Sequence, residues 1–258
     1  MTLNVSAMLR EETVFGPIHS RRLGSSLGIN LLPVNGKICS FDCIYCECGW
    51  NRDGKDDKRL PSAAEVRSAL QDKLSALMLE GVRIDSITFS GDGEPTLNPE
   101  FPRIIEDTLR LRDVFYPDAK VSVLSNATRV HVPEVFEALR KVDNPIMKID
   151  APTDELVRLI DNPAPGYSLA RTIEALRRFE GDFVLQTMFL RSPDFDSSSP
   201  EVLDVWKVIV RDLRPRKIMV YTIDRPTPMQ GLEKFSVELM RSLVSDLIEE
   251  GFNIDIRG

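Results

Sequence analysis

Short apolar runs alternate with longer amphipathic stretches along almost the whole chain, and this alternation leaves few architectures open. The apolar runs fall at 27–33 (LGINLLP), 84–90 (IDSITFS), 120–125 (KVSVLS), 146–151 (IMKIDA), 183–190 (FVLQTMFL), 217–223 (KIMVYTI) and 252–256. Between them the apolar spacing is helical. The first such stretch opens on Ser62, an N-cap residue type, with Glu65 three residues on to complete a capping box. It places Val66, Leu70, Leu74, Leu77 and Met78 on one face and stops at Gly81. Phe101, Ile104, Ile105 and Leu109 mark a second helix, and further helical patterns cover 133–141, 153–160, 168–180, 200–213 and 236–250. Strands joined through helices make right-handed crossovers and a parallel sheet. About six such units predict either an incomplete barrel or a doubly wound sheet, and periodicity does not separate the two. In both, the chemistry gathers at the C-terminal ends of the strands.

The chain has 258 residues, 42% of them apolar, enough for a full core in one domain without staples. With 40 acidic against 33 basic residues the formal charge is −7, a poor starting point for nonspecific binding to nucleic acid. A local basic patch stays open. There is no apolar run of about 18 residues, so no transmembrane helix is expected. The first residues lack a basic start followed by an apolar core, so the expectation is no signal peptide, no membrane partner and a cytoplasmic protein.

All four cysteines lie between positions 39 and 48, in Cys39-Ser-Phe-Asp-Cys43-Ile-Tyr-Cys46-Glu-Cys48. A disulfide framework would spread them along the chain. Crowded into the long polar loop 34–60, six residues after the first apolar run, they read as a metal or cluster site. Soft thiolates select Fe–S, zinc or Cu(I). Structural zinc usually draws on two separated pairs, and here there is no second pair and only two histidines, His19 and His131. Cys48, two residues past Cys46, reads as a spectator thiol, with a fourth-ligand role as the alternative.

The spacing CxxxCxxC, with Tyr45 before the last cysteine, resembles the radical S-adenosylmethionine (SAM) superfamily. The resemblance implies that Cys39, Cys43 and Cys46 hold three irons of a [4Fe–4S] cluster, leaving the fourth to the amino and carboxylate groups of SAM, with Tyr45 beside the adenine. It implies reductive cleavage of SAM to methionine and a 5′-deoxyadenosyl radical, fed by a reductant protein such as flavodoxin or ferredoxin. After the second run, Gly91-Asp92-Gly93-Glu94-Pro95 is similar to the family's GGEP stretch, which binds the SAM amine; Asp92 stands where that pattern has its first glycine. Ser125 and Asn126, ending the third run, and Gln186 on the fifth are implied to orient ribose and carboxylate.

Other residues are read from their positions alone. Lys148 and Asp150 alternate with apolar neighbours and share one strand face, as substrate-side groups or as an internal salt bridge. Asp224 and Arg225 follow the sixth run, at the active rim. Arg21 and Arg22 would suit a carboxylate or phosphate, or be solvated, and His19 reads as a surface residue.

GPIHSRRLGSSLGINLLP, CSFDCIYCECG, FSGDGEPTLNP, IDAPTDE and TIDRPTP resemble, in order and spacing from about residue 15 to 228, stand-alone proteins related to tRNA 4-demethylwyosine synthase. The similarity implies an α/β fold, a partial (βα)6 TIM-type barrel, in one radical SAM domain over 1–258 with an N-terminal extension at about 1–25. The wyosine enzyme condenses pyruvate with N1-methylguanosine in tRNA and carries extra upstream cysteines. No cysteine precedes Cys39, so that second cluster is not expected. The expected function is a radical SAM enzyme of oxidoreductase or lyase type with an unidentified substrate. Two alternatives stand beside it. A tRNA-modifying enzyme would show a basic rim through Arg21, Arg22, Lys58 and Arg59. An electron-transfer protein would use all four cysteines as ligands.

Overall fold

The computed structural model describes residues 9–20, 23–34, 36–54 and 58–258. The chain enters as β1 (Val14–Ser20), which pairs antiparallel with β2 (Gly24–Ile29). It then runs through α1 (Ala63–Leu79), β3 (Ser86–Phe89), α2 (Phe101–Phe115), β4 (Lys120–Ser125), α3 (Pro133–Leu139) and β5 (Asn144–Lys148). Next come α4 (Asp154–Ile160), α5 (Leu169–Arg177), β6 (Val184–Met188), β7 (Leu190–Ser192), β8 (Phe195–Asp196) and α6 (Pro200–Leu213). The last elements are β9 (Lys217–Tyr221), β10 (Glu233–Lys234), α7 (Val237–Leu243), α8 (Ser245–Glu249) and β11 (Ile254–Arg257). Arg21 and Arg22 lie outside the described residues.

Strand order decides between the two sheet architectures. The main sheet runs β1-β2-β3-β4-β5-β6-β9-β11, and every pair from β2 onward is parallel. Because the order never reverses, each right-handed crossover lays its helix on the same face. A doubly wound sheet needs a reversal. The sheet therefore curls into a half-barrel, a partial TIM barrel with helices outside. A small second sheet, β10-β7-β8, stands beyond β6.

Side chains sort by this geometry. Leu27, Ile29, Ile87, Phe89, Val121 and Val123 join the large core between sheet and helices. On the opposite, inner face Ile146, Val184 and Met219 form a separate small cluster. Deeper in, Ser26, Thr88, Ser86 and Ser122 bond one another at 2.8–3.1 Å, satisfying hydroxyls that the curl removes from water. In register, Lys148 stands beside Gln186 on this inner face.

Local chemistry accounts for the elements. Ser62 and Glu65 make the capping box of α1, and Val66, Leu70, Leu74 and Leu77 are buried. Met78 departs from the expected stripe and is 47% exposed, because it lies about 100° round the helix from Leu77. The expected helix at 236–250 is broken at Val244 into α7 and α8. The first parallel strand ends at Ile29 rather than at 33, and beyond it the Asn30 side chain bonds the turn after β3. The strand β1 lies within the expected N-terminal extension.

Candidate active site

The three cysteines of the CxxxCxxC spacing lie on the loop that leaves the C-terminal end of β2. That loop is bound on every side. The Ile38 amide donates to the Asp92 carbonyl at 3.1 Å and the Ile38 carbonyl accepts from the Glu94 amide at 3.1 Å, a parallel bridge to the turn after β3. The amides of Asp42 and Ile44 donate to the carbonyls of Asp161 and Ile160 at the end of α4, and Met229 donates to the Ile44 carbonyl. Gly93, at φ +141°, is what allows the bridge: a Cβ there would lie 1.8 Å from the Ile38 carbonyl oxygen. Gly91 packs equally tightly on Asn30, whose side-chain oxygen would meet a Cβ at 2.1 Å. Asp92, by contrast, needs no glycine, since the left-handed non-glycine positions among the described residues are Ala127, Asn162, Glu180 and Arg214.

Two of the three sulfurs have hydrogen-bond donors. Cys39 Sγ receives the Phe41 amide at 3.4 Å and Asn126 Nδ2 at 3.6 Å. Cys43 Sγ receives Lys148 Nζ at 3.0 Å. The neighbouring Cys48 lowers the Cys46 pKa to about 6 against the opposing effect of burial, with Lys37 helping. Burial pushes the Cys39 thiol up to about 12 and Cys43 well above its ordinary range, although Lys148 pulls Cys43 down. Two lysines thus face the thiols. Lys37 bonds the Gly49 carbonyl and lies 3.4 Å from Asp42. Burial lowers its pKa, but Cys46 and Cys39 more than reverse this.

Lys148 is the hub of a buried network. It is 3.1 Å from Asp150, bonds Asp161, and lies 4.8 Å from the Tyr45 ring centroid and 5.1 Å from that of Phe41. Burial alone would depress its pKa; Asp150 and Asp161 outweigh burial and keep it charged. Asp150 also accepts from Tyr45 Oη and, at 2.9 Å, from the Met188 amide. The pair expected on the substrate side thus forms an internal salt bridge beneath the cysteine loop, and Tyr45 turns its hydroxyl into that bridge.

On the turn after β3, Glu94 is 2% exposed. Its carboxylate accepts from the Thr96 amide and hydroxyl, the Ser125 hydroxyl and the Asn126 amide, tying the ends of β3 and β4 together. Asp92 accepts from the Arg10 amide at 2.7 Å and Asn30 Nδ2 at 3.2 Å. Cys48 Sγ lies 3.8 Å from both the Gly91 carbonyl and Asp92 Oδ1, so the fourth thiol packs against this turn. Gln186 is buried on β6. Asp224 is exposed at the rim, and Arg225 bonds Glu47 Oε2 at 2.7 Å, linking the loop after β9 to the cysteine loop. Lys37, Asn30 and Asp161 were not singled out by the sequence. Lys37, two residues before Cys39, was the legible one; Asp161 reaches the site only because α4 ends there.

The residues suit a [4Fe–4S] group. Among the described residues no three His, Cys, Asp or Glu side chains are arranged for a single metal ion. A cube, by contrast, takes one thiolate on each of three irons, and Lys37 and Lys148 offset that charge. The radical SAM superfamily model matches residues 36–188, the stretch that holds the cysteine loop, the turn after β3 and the buried lysine network. The chain belongs to the radical SAM superfamily. Its cofactors are the [4Fe–4S] cluster and SAM that the superfamily uses.

A protein named GTPase Obg from Brachyspira hyodysenteriae is 30% identical over 236 residues, covering 90% of this chain and 33% of that protein. A UPF0026 protein from Methanocaldococcus jannaschii is 28% identical over 236 residues, covering 90% and 70%. The crystal structure of a radical SAM methyltransferase from Sphaerobacter thermophilus matches with TM-score 0.68 at 18% identity, covering 90% of this chain and 65% of that one. An archaeal TYW1, a wyosine synthase, matches at TM-score 0.53 and 11% identity over 87% and 71%. The chain therefore spans a third of the first of these relatives, and the solved structures speak for the fold alone. Among the described residues no helix is long and apolar enough to cross a membrane.

Proposed function

We propose that this radical SAM enzyme holds its cluster on Cys39, Cys43 and Cys46 and turns SAM cleavage on an organic substrate at the barrel mouth. The observation that carries this reading is the loop itself: three thiols on one loop, two of them with hydrogen-bond donors, facing Lys37 and Lys148. When bound, the cluster and SAM supply a one-electron cleavage that releases methionine and a 5′-deoxyadenosyl radical; the electron comes from a reductant such as flavodoxin or ferredoxin.

This chain's residues orient and shield. Gly91, Asp92, Gly93, Glu94 and Pro95 form the cradle for the methionyl amine. Glu94 is spent largely on holding that cradle in shape, so its free acceptors lie on the turn's backbone. Ser125, Asn126 and Gln186 orient ribose and carboxylate, and Tyr45 sets one wall. Lys148 and Asp150 act from beneath, donating to Cys43 and anchoring Tyr45. Asp224 and Arg225 stand at the rim on the substrate side.

Anaerobic incubation of cluster-loaded protein with SAM and dithionite tests the reading, with 5′-deoxyadenosine as the readout. Formation that requires reductant supports it. No 5′-deoxyadenosine from protein shown to hold its cluster would favour electron transfer. Bulk tRNA in a parallel arm tests the RNA-modifying alternative, which predicts stimulation. Arg59 is ion-paired with Glu65 and Arg225 with Glu47, so these two rim cations are already balanced.

A further inference from the structure

We propose that a cavity on the outer flank of the cysteine loop is a binding site for a phosphoryl group. The cavity has a volume of about 210 Å³ and lies between the loop after β4 and the loop leading into α5. Arg129, His131 and Arg171 line it, together with Ser40, Thr128 and Tyr167. Among the described residues no aspartate or glutamate lines it. It is separate from the SAM site, since none of Glu94, Lys148, Asp150 and Gln186 reaches its wall.

The state of the cations marks it as built for an anion. Many arginines of this acidic chain are matched to carboxylates, as Arg112 to Asp143, Arg177 to Asp212, Arg191 to Asp196 and Arg211 to Glu250. Arg129 has no ion pair among the described residues, and its Nε is buried without a hydrogen-bond partner. An unmatched buried guanidinium nitrogen carries a desolvation cost that an arriving oxyanion removes. Among the described residues the Arg171 guanidinium bonds only the Gly166 carbonyl, at 3.3 Å. Asp154, which accepts from the Leu169 amide at 2.7 Å and acts on Tyr167, does not line the cavity. Two guanidinium forks, an imidazole and hydroxyls match the donor set that tetrahedral phosphate oxygens take.

The wall is shared with the cluster loop. Ser40 follows Cys39, and its hydroxyl bonds Thr128 at 2.7 Å and receives Asn126 Nδ2 at 2.9 Å. The same Asn126 amide reaches Cys39 Sγ. An occupant therefore touches the cysteine loop at Ser40, beside Cys39. Binding is read without turnover, so this site stands or falls separately from the proposed radical chemistry.

Calorimetric titration of the cluster-loaded protein tests it, with inorganic phosphate as one probe and an oligoribonucleotide lacking terminal phosphates as the other. Arg129→Gln and Arg171→Gln should each weaken binding about tenfold or more. Arg83→Gln, which removes the same charge at the opposite end of the sheet, should not, and unchanged iron content shows that the variants fold. Phosphate binding alone assigns the site to a phosphorylated small molecule. Oligonucleotide binding competed by phosphate assigns it to a nucleic-acid backbone. Failure of both probes to saturate, or equal binding by all three variants and the parent, would overturn the proposal.

Discussion

Asp85 and Asp143, at the N-terminal ends of β3 and β5, lie below the ordinary carboxylate pKa, whereas Asp92, Glu94 and Asp161, around the C-terminal ends, lie above it. Asp85 is lowered by the Ser25 amide at 2.9 Å and then by Arg83. At Asp143 burial raises the pKa, but the Val121 amide and Arg112 prevail. At the mouth burial prevails instead. It raises Glu94 despite four hydrogen bonds, and it pushes Asp161 to about 7 despite Lys148. The floor of the barrel is thus arranged for stability. The mouth holds buried charge at a cost, and what that charge supports is the cysteine loop.

The largest test of this contrast removes a thiol. Cys43→Ala should abolish the cluster, read as iron and sulfide content after anaerobic purification, whereas Cys48→Ala should keep it. Retention of full iron by Cys43→Ala, or its loss from Cys48→Ala, would make the fourth cysteine a ligand.

Next is Lys148→Met, which strands Asp150 and Asp161 without their cation. Breaking a buried ion pair from one side costs about 3–5 kcal/mol. Arg177→Met, at an exposed pair with Glu174 and Asp212, should cost far less, because solvent screens that pair. Urea unfolding of the two variants measures the gap between mouth and outer surface. Lys148→Met should also lower the cluster's midpoint potential, because a donor to the Cys43 sulfur is lost; an unchanged potential would reduce Lys148 to packing.

Glycines give a third pair. Gly93→Ala drives a Cβ into the Ile38 carbonyl and should cost roughly 3 kcal/mol or more, with poorer cluster loading. Gly81→Ala, at φ +66° with nothing within 4 Å, should cost about 1 kcal/mol of backbone strain. Similar midpoints for the two in urea would remove the bridge from the account of how the loop is held.

These comparisons also mark what the sequence could show. The parallel strands were legible because Leu27, Ile87 and Val121 face the helices whatever the sheet's closure. Curl was not, since it lives in the strand order, which periodicity does not carry. The cysteine spacing was legible because one loop supplies all three thiols. The resemblance to radical SAM proteins, and the partial barrel it implies, agree with the family match and the strand order. Asp161 and Asn30 were not legible, because each joins the site across an intervening helix: Asp161 with Lys148 across α4, Asn30 with Asp92 across α1. The roles expected for Lys148 and Asp150 turned on the same point. Alternation put them correctly on one face, but only the packed loop shows that Cys43 and Tyr45 already occupy their polar atoms.

The smallest effect lies at the floor. Asp143 binds the Val121 amide at 2.9 Å and Arg112 at 2.8 Å, and its folded pKa is below the unfolded value of about 3.9. A carboxylate of this kind stabilises the fold above the unfolded pKa and loses that contribution as pH falls through its folded one. Asp143→Asn cannot titrate. The stability difference between parent and variant should therefore be constant near neutrality and shrink as pH drops below about 4. Chemical denaturation across that range measures it. A difference that widened with acid would place Asp143 with the buried carboxylates of the mouth, whose protonation favours the folded state, and the division between floor and mouth would fail at the residue that defines it most simply.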